Sequence, residues 1–262
     1  MNLDGYPGLL LEAKPNGVLL ITINRPESYN SLDEGMHDAL AQIWADIDAD
    51  PRVRASVITG AGKAFSAGGN LKRDVENLGN YVNITTVHRQ ARDLVLGLLN
   101  SEKPIISAIN GPAVGAGLAV ALLADISLIG DQTRFTDGHS RVGVAAGDHS
   151  MIIWPLLCGV AKAKYYLMTA NFIDGPEAER IGLVSKCVPQ AELVSEALAI
   201  ADQLATGPQF AIRATKRSVN HWVRSAQPIF EYSLAMEMLD LYGPDGKEGF
   251  TAMLDKRPPK FS

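Results

Sequence analysis

KPIISAINGPAVGAGLAVALLADI, residues 103–126, decides how the rest of the chain is read. Residues 104–109 are a short β-prone run, NGPAVGAG is a loop of small residues, and LAVALLAD continues as a helix, giving strand, loop and helix in succession. An upstream counterpart has a strand at 55–59 opening into the loop GAGKAFSAGGN. Val87, Ala91, Leu94, Val95, Leu98 and Leu99 mark an amphipathic helix between the two units. This alternation predicts a layered α/β core with functional loops at strand ends.

Moving outward, residues 9–14 and 18–24 read as two strands joined by Pro15-Asn16-Gly17. Ser31 and Glu34 have capping-box spacing before a helix carrying Leu32, Met36, Leu40, Ile43, Trp44 and Ile47. Beyond Pro176 the pattern turns helical, with Gly182 at a helix end, a short strand at 184–188, and helices near 190–205, 208–224 and 228–241. These last helices carry more apolar positions than a terminal hairpin can bury, which predicts that they cover a neighbouring subunit.

With 262 residues, 47% of them hydrophobic, the chain can bury one substantial core. A net charge of -5 gives no broad attraction for nucleic acid or anionic lipid, so a small-molecule partner is expected. Cys158 and Cys187 stand far apart with no ligand cluster, so neither a disulfide framework nor a metal site is expected. No basic leader precedes an apolar run and none reaches membrane-spanning length; the expectation is a cytoplasmic protein that neither enters nor binds a membrane. GAGKAFSAGG lacks P-loop spacing, and no dinucleotide fingerprint opens a nucleotide-binding unit.

Four segments, NRPESYNSL at 24–32, GAGKAFSAGGNL at 60–71, KPIISAINGPAVGAGLAVALLADI at 103–126 and AERIGLVSKCV at 178–188, together resemble the crotonase, or enoyl-CoA hydratase/isomerase, superfamily in order and spacing. The likeness runs from about residue 10 to the C-terminus. It implies a spiral of ββα units over 1–195 with an acyl-CoA pocket, and a helical trimerisation region over 196–262 whose trimers can pair into a hexamer. It also implies an acyl-CoA thioester as substrate, with coenzyme A part of that substrate and no separate cofactor.

The chemistry can be stated from first principles. A thioester that loses an α-proton places negative charge on its carbonyl oxygen, and two preorganised N–H donors stabilise it. By resemblance those donors are Ala67 in FSAGG and Ala116 in GAGL, flanked by Ser66, Gly68, Asn70 and Gly115; Ala116 would also open a helix, where partial positive charge favours an oxyanion. By the same resemblance Arg25 and Lys72 are candidates for charge contacts with the nucleotide end of coenzyme A, Lys256 matches a C-terminal lysine that reaches its 3′-phosphate from a neighbouring subunit, and Trp154 and Met151 are candidates for the acyl-pocket wall or for plain core.

Two departures from the hydratase pattern bear on the reaction. The glutamates that hold water in hydratases align with Ala119 and His139. Asp148 becomes the leading general base, with a helix N-cap as its alternative role, and His139 a second proton carrier. His149 and Asp137 are secondary candidates. FTDG, then GD and WP, has a local likeness to oxocamphor hydrolase, which cleaves a carbon–carbon bond beside a carbonyl. The expected function is acyl-CoA enolate chemistry, with C–C bond hydrolysis or isomerisation through Asp148 as one alternative and a non-catalytic acyl-CoA-binding protein as another.

Overall fold

The β-branched and leucine-rich runs pair into one twisted sheet, described for residues 2–262 in a computed structural model. Strands β1 (Leu9–Ala13) and β2 (Val18–Ile23) form an antiparallel hairpin, and Asn16 and Gly17 in its turn both take positive φ. From β2 onward the pairing is parallel: β3 (Ala55–Gly60), β4 (Ile105–Ile109), β5 (Ile126–Gly130) and β8 (Lys186–Val188) follow in the order β1-β2-β3-β4-β5-β8. A two-stranded ribbon of β6 (Arg134–Phe135) and β7 (Ile173–Asp174), not anticipated from the sequence, stands apart from the main sheet.

Alternation along the strands feeds two cores. Leu19, Ile21, Ile23, Ile58, Ile105 and Ile109 face one cluster with α1 (Glu34–Ala49), α3 (Tyr81–Asn100) and α4 (Ala116–Leu123), whereas Val18, Leu20, Val57, Ile106 and Leu128 face the other. The second face is covered by α7 (Leu193–Thr206) through Leu193, Ala197, Ala201 and Ala205. The expected domain boundary at 195/196 therefore falls inside a helix whose small residues let it lie flat on the sheet.

Helices α2 (Leu71–Asn77), α5 (Ser150–Thr169), α6 (Gly175–Arg180), α8 (Gln209–Ser225), α9 (Gln227–Asp240) and α10 (Pro244–Leu254) complete the chain. The N-cap of α1 is Asp33, which accepts from the Met36 N–H, and not Ser31 as the capping-box spacing suggested. Among the described residues no helix is long and apolar enough to cross a membrane.

Candidate active site

The two glycine-rich loops are zipped together by backbone. Val114 N–H donates to the Ser66 carbonyl at 3.0 Å, while Phe65 and Ser66 N–H groups donate to the Pro112 carbonyl at 3.0 and 3.2 Å. Small residues are required for this approach: Gly68 has φ +78°, and a Cβ there would stand 2.7 Å from the Val114 carbonyl oxygen. Ser107 Oγ donates to the Ala121 carbonyl at 2.6 Å and fastens α4 to β4, fixing where that helix begins.

Beside these loops lies a cavity of about 560 Å³. Ala67, Gly68, Gly69, Asn70, Gly115 and Ala116 form one wall. Ile84, Leu94 and Val95 of α3, with Val144 and Phe250, give it an apolar side.

Within that wall the expected donor pair needs one correction. The Ala67 N–H is committed to the Tyr29 carbonyl at 2.9 Å, and a spent donor cannot also meet a substrate oxygen. In α4 the N–H groups of Gly117, Leu118 and Ala119 bond to Val114 and Gly115, which leaves the Ala116 N–H at the helix start with no acceptor among the described residues. Gly69, two residues past Ala67, likewise has an N–H without an acceptor among the described residues.

A cluster of ionisable side chains lines the same cavity. Gly138, at φ +84°, turns the chain between Asp137 and His139 and brings both side chains together, His139 Nδ1 lying 2.8 Å from Asp137 Oδ1. His139 Nε2 then lies 3.8 Å from Asp148 Oδ1 and 3.6 Å from Glu237 Oε1. Ser150 Oγ donates to the other Asp137 oxygen. His149 Nδ1 lies 2.5 Å from Asp148 Oδ1, and its buried Nε2 has no partner among the described residues.

Asp148 is not a helix cap: α5 begins at Ser150 with His149 at the N-cap position, and the Asp148 carboxylate is turned toward the two imidazoles. Its Oδ2 is the nearest atom, at 3.8 Å, to where a Cβ on Gly115 would stand, so the acid lies close to the start of α4.

Burial and charge oppose each other throughout the cluster. Burial alone would lower the His139 pKa, but Asp137, Asp148 and Glu237 outweigh it and hold the imidazole well above its ordinary value. Burial raises Asp148, yet His149 and His139 hold its carboxyl below the usual carboxylate range. Glu237 goes the other way, pushed up to about 6 by burial despite His139, and its buried Oε2 has no hydrogen-bond partner among the described residues.

The sequence reading did not include Glu237 or His37. Glu237 projects inward from α9, and His37, on α1, lines the cavity with a buried Nδ1 that has no partner among the described residues; burial lowers its pKa. Asp74 also lines it, and burial raises its carboxyl to about 6.

Several expected binding residues lie elsewhere. Ser66 is buried, its hydroxyl bridging the Asn30 carbonyl and the Gly68 N–H at 2.8 and 3.2 Å, so it supports the loop and does not line the cavity. Trp154 is fully buried, edge-on to Phe135 with ring centres 6.4 Å apart, and belongs to the core. Arg25 is paired with the α1 cap Asp33. Lys72 and Lys256 are exposed and, like Arg25, lie outside the cavity lining. Asn70 lines the cavity while capping α2.

Two triplets, Asp137/Asp148/His149 and His139/Asp148/Glu237, each hold potential ligand atoms within 4.8 Å of one another, spacing that a cation accepts. In the first, His149 Nδ1 and Asp148 are already bonded to each other.

The enoyl-CoA hydratase/isomerase family profile matches residues 13–262. (E)-Benzylidenesuccinyl-CoA hydratase from Thauera aromatica is 34% identical over 252 residues, covering 94% of this chain and 96% of that protein. An enoyl-CoA hydratase/isomerase crystal structure from Mycobacterium paratuberculosis superposes with a TM-score of 0.89 at 34% identity, over 95% of this chain and 99% of that one. A β-diketone hydrolase from the cyanobacterium Anabaena sp. PCC 7120, bound to (S)-3-oxocyclohexyl acetic acid, superposes with a TM-score of 0.82 at 27% identity, over 90% and 94%. Sheet order, paired glycine-rich loops and these matches along nearly the whole length agree, and the chain belongs to the enoyl-CoA hydratase/isomerase family.

Proposed function

We propose that this protein hydrolyses a carbon–carbon bond between two carbonyl groups, releasing a carboxylic acid and a ketone. The carrying observation is His139: Asp137 orients its ring, and its Nε2 faces the Asp148 and Glu237 carboxylates beside a wall with two unspent N–H donors. A hydratase needs two carboxylates around one water, and Ala119 removes the first of those positions.

Each group has a distinct task. Asp148, ionised, takes a proton from water as the oxygen adds to one carbonyl. The bond to the α-carbon breaks, its electron pair passes into the adjoining carbonyl, and the resulting enolate oxygen is held by the Gly69 and Ala116 N–H groups. His139, kept protonated by the carboxylates around it, delivers its Nε2 proton to the α-carbon. The proton on Asp148 returns to His139, and the new acid ionises. Glu237, its carboxyl pushed up to about 6 by burial, adds with Asp137 and Asp148 to the field that keeps the His139 imidazole charged. The related β-diketone hydrolase supports this reading.

Acyl-CoA enolate chemistry, with Asp148 moving the α-proton, is the second reading, favoured by the likeness to (E)-benzylidenesuccinyl-CoA hydratase. Both use the same N–H wall and need no separate cofactor. A panel of cyclic β-diketones, β-ketoacyl-CoA and enoyl-CoA thioesters, followed by mass, separates them. Keto acid formed from free diketones, with one oxygen from labelled water, supports hydrolysis; turnover of thioesters alone overturns it.

We infer a trimer from the outer faces of the helices. Phe210 and Trp222 on α8 are 87% and 74% exposed, Tyr232 on α9 is 66% exposed, and Met168 on α5 is 74% exposed. Light scattering should give a mass three or six times that of the chain, and a dilute stable monomer would contradict it.

A further inference from the structure

The cavity floor repels anions, because Asp137, Asp148 and Glu237 surround a single imidazole there. Its lining nevertheless includes two arginines with the opposite preference, held on one aromatic ring. Arg134 of β6 and Arg141 both stack on the Phe172 ring, their guanidinium carbons 4.8 and 4.7 Å from its centre. One ring therefore holds two like charges together.

Neither arginine has an acidic partner among the described residues. Asp174, across the ribbon from Arg134, instead accepts the Glu177 N–H at 2.9 Å and caps α6. Arg141 gives only its Nε–H to a protein acceptor, the Ala170 carbonyl at 2.9 Å, a bond that orients the guanidinium and leaves its terminal nitrogens available. Phe172 is 46% exposed, so the trio meets solvent while lining the cavity. Stacking fixes the plane of a guanidinium without consuming its in-plane donors, the edge that engages a carboxylate in two parallel bonds.

We propose that Arg134, Phe172 and Arg141 form a carboxylate subsite at the cavity mouth, which takes the acid group of a keto-acid ligand. The subsite rests on the hydrolytic reading for its biological meaning: bond cleavage turns a neutral diketone into an anion among three carboxylates, and the arginine pair gives that anion a favourable place away from them. Product would be drawn off the floor and held at the mouth, making the keto acid a competitive inhibitor.

The experiment measures binding, so its outcome does not depend on turnover. Calorimetry with 3-oxocyclohexyl acetic acid, its methyl ester and free coenzyme A is run on the wild-type assembly and on Arg134→Gln, Arg141→Gln and the double variant. A charge-assisted bond is worth enough that each single change should weaken acid binding about tenfold, and the double change more. Ester binding should stay the same in all four proteins, and acid binding to wild type should weaken with salt. Acid binding unchanged in the double variant, or no binding to wild type, overturns the subsite; so does coenzyme A affinity falling while acid affinity holds, which assigns the arginines to a phosphate. Failure of the hydrolytic reading shows separately, as absence of diketone cleavage by a protein whose acid binding still depends on the arginines.

Discussion

The two sides of the cavity are built from different materials. One side is backbone: the loops at Gly68–Gly69 and Gly115–Ala116, zipped together and offering N–H groups. The other is side chain: Asp137, His139 and Asp148 from the segment before α5, joined by Glu237 from α9. A backbone wall depends on conformation and on small residues, and it can stabilise any enolate that fits. A side-chain wall decides where protons go, and hence which reaction follows.

The side-chain wall should give the largest effects. Asp148→Asn and His139→Gln are each expected to lower kcat about 10²- to 10⁴-fold, with ligand affinity nearly constant. The Asn variant keeps a side-chain oxygen beside the buried His149 Nδ1, so its melting temperature should fall less than that of an Ala variant. Asp148→Ala, by contrast, removes the partner of the buried His149 Nδ1 and should cost about 1–3 kcal/mol of stability. Near-full turnover by Asp148→Asn would remove that residue from the chemistry.

A backbone change tests the other side. Ala116→Pro deletes one N–H at the first position of α4, where proline is tolerated because that N–H makes no bond within the helix. The expected result is a helix that still forms and a kcat lower by about 10²- to 10³-fold. Unchanged kcat would show that the Ala116 N–H does not meet the developing charge. Ala67, whose N–H already bonds to Tyr29, marks where the motif reading stopped short.

That contrast also explains what could be read in advance. The backbone wall leaves a linear trace, since close loops demand glycine and alanine at fixed spacing, and the sheet leaves an equally direct trace in its β-branched runs. The choice of donor within FSAGG does not, because it depends on which N–H the neighbouring chain consumes. His139 and Asp148 stood out because they lie in a segment whose likeness could be placed. Glu237 and His37 were not legible: each sits on an amphipathic helix where a polar residue reads as solvent-facing, and only packing α9 and α1 against the cavity turns them inward. Trp154 stayed open between pocket wall and core, since a large aromatic near a site fits either until its neighbours are known, and its burial against Phe135 selects the core.

The smallest effect should come from Glu237, whose contribution is mainly electrostatic. Glu237→Gln keeps the shape of the side chain and changes its charge alone, so kcat at the pH optimum should fall less than about tenfold. Its influence on His139 is a separate matter. Burial opposes the His139 charge while Asp137, Asp148 and Glu237 favour it, so removing one carboxylate must lower the imidazole pKa. If protonated His139 delivers the proton to the α-carbon, activity is lost as pH rises through that pKa, and the alkaline limb of the kcat profile should move to lower pH in the variant. Stability follows the same sign: a raised histidine pKa contributes fully below the unfolded value and is lost as pH rises through the folded value, so in the variant this contribution should be smaller and its loss complete at lower pH. In the acid range, wild type bears the cost of ionising a carboxyl whose pKa is near 6, a cost that grows from the unfolded glutamate value upward and that the glutamine variant does not have. An alkaline limb that stays fixed would show that another group controls it, and an acidic limb moving instead would mean that His139 acts in its neutral form, as the base.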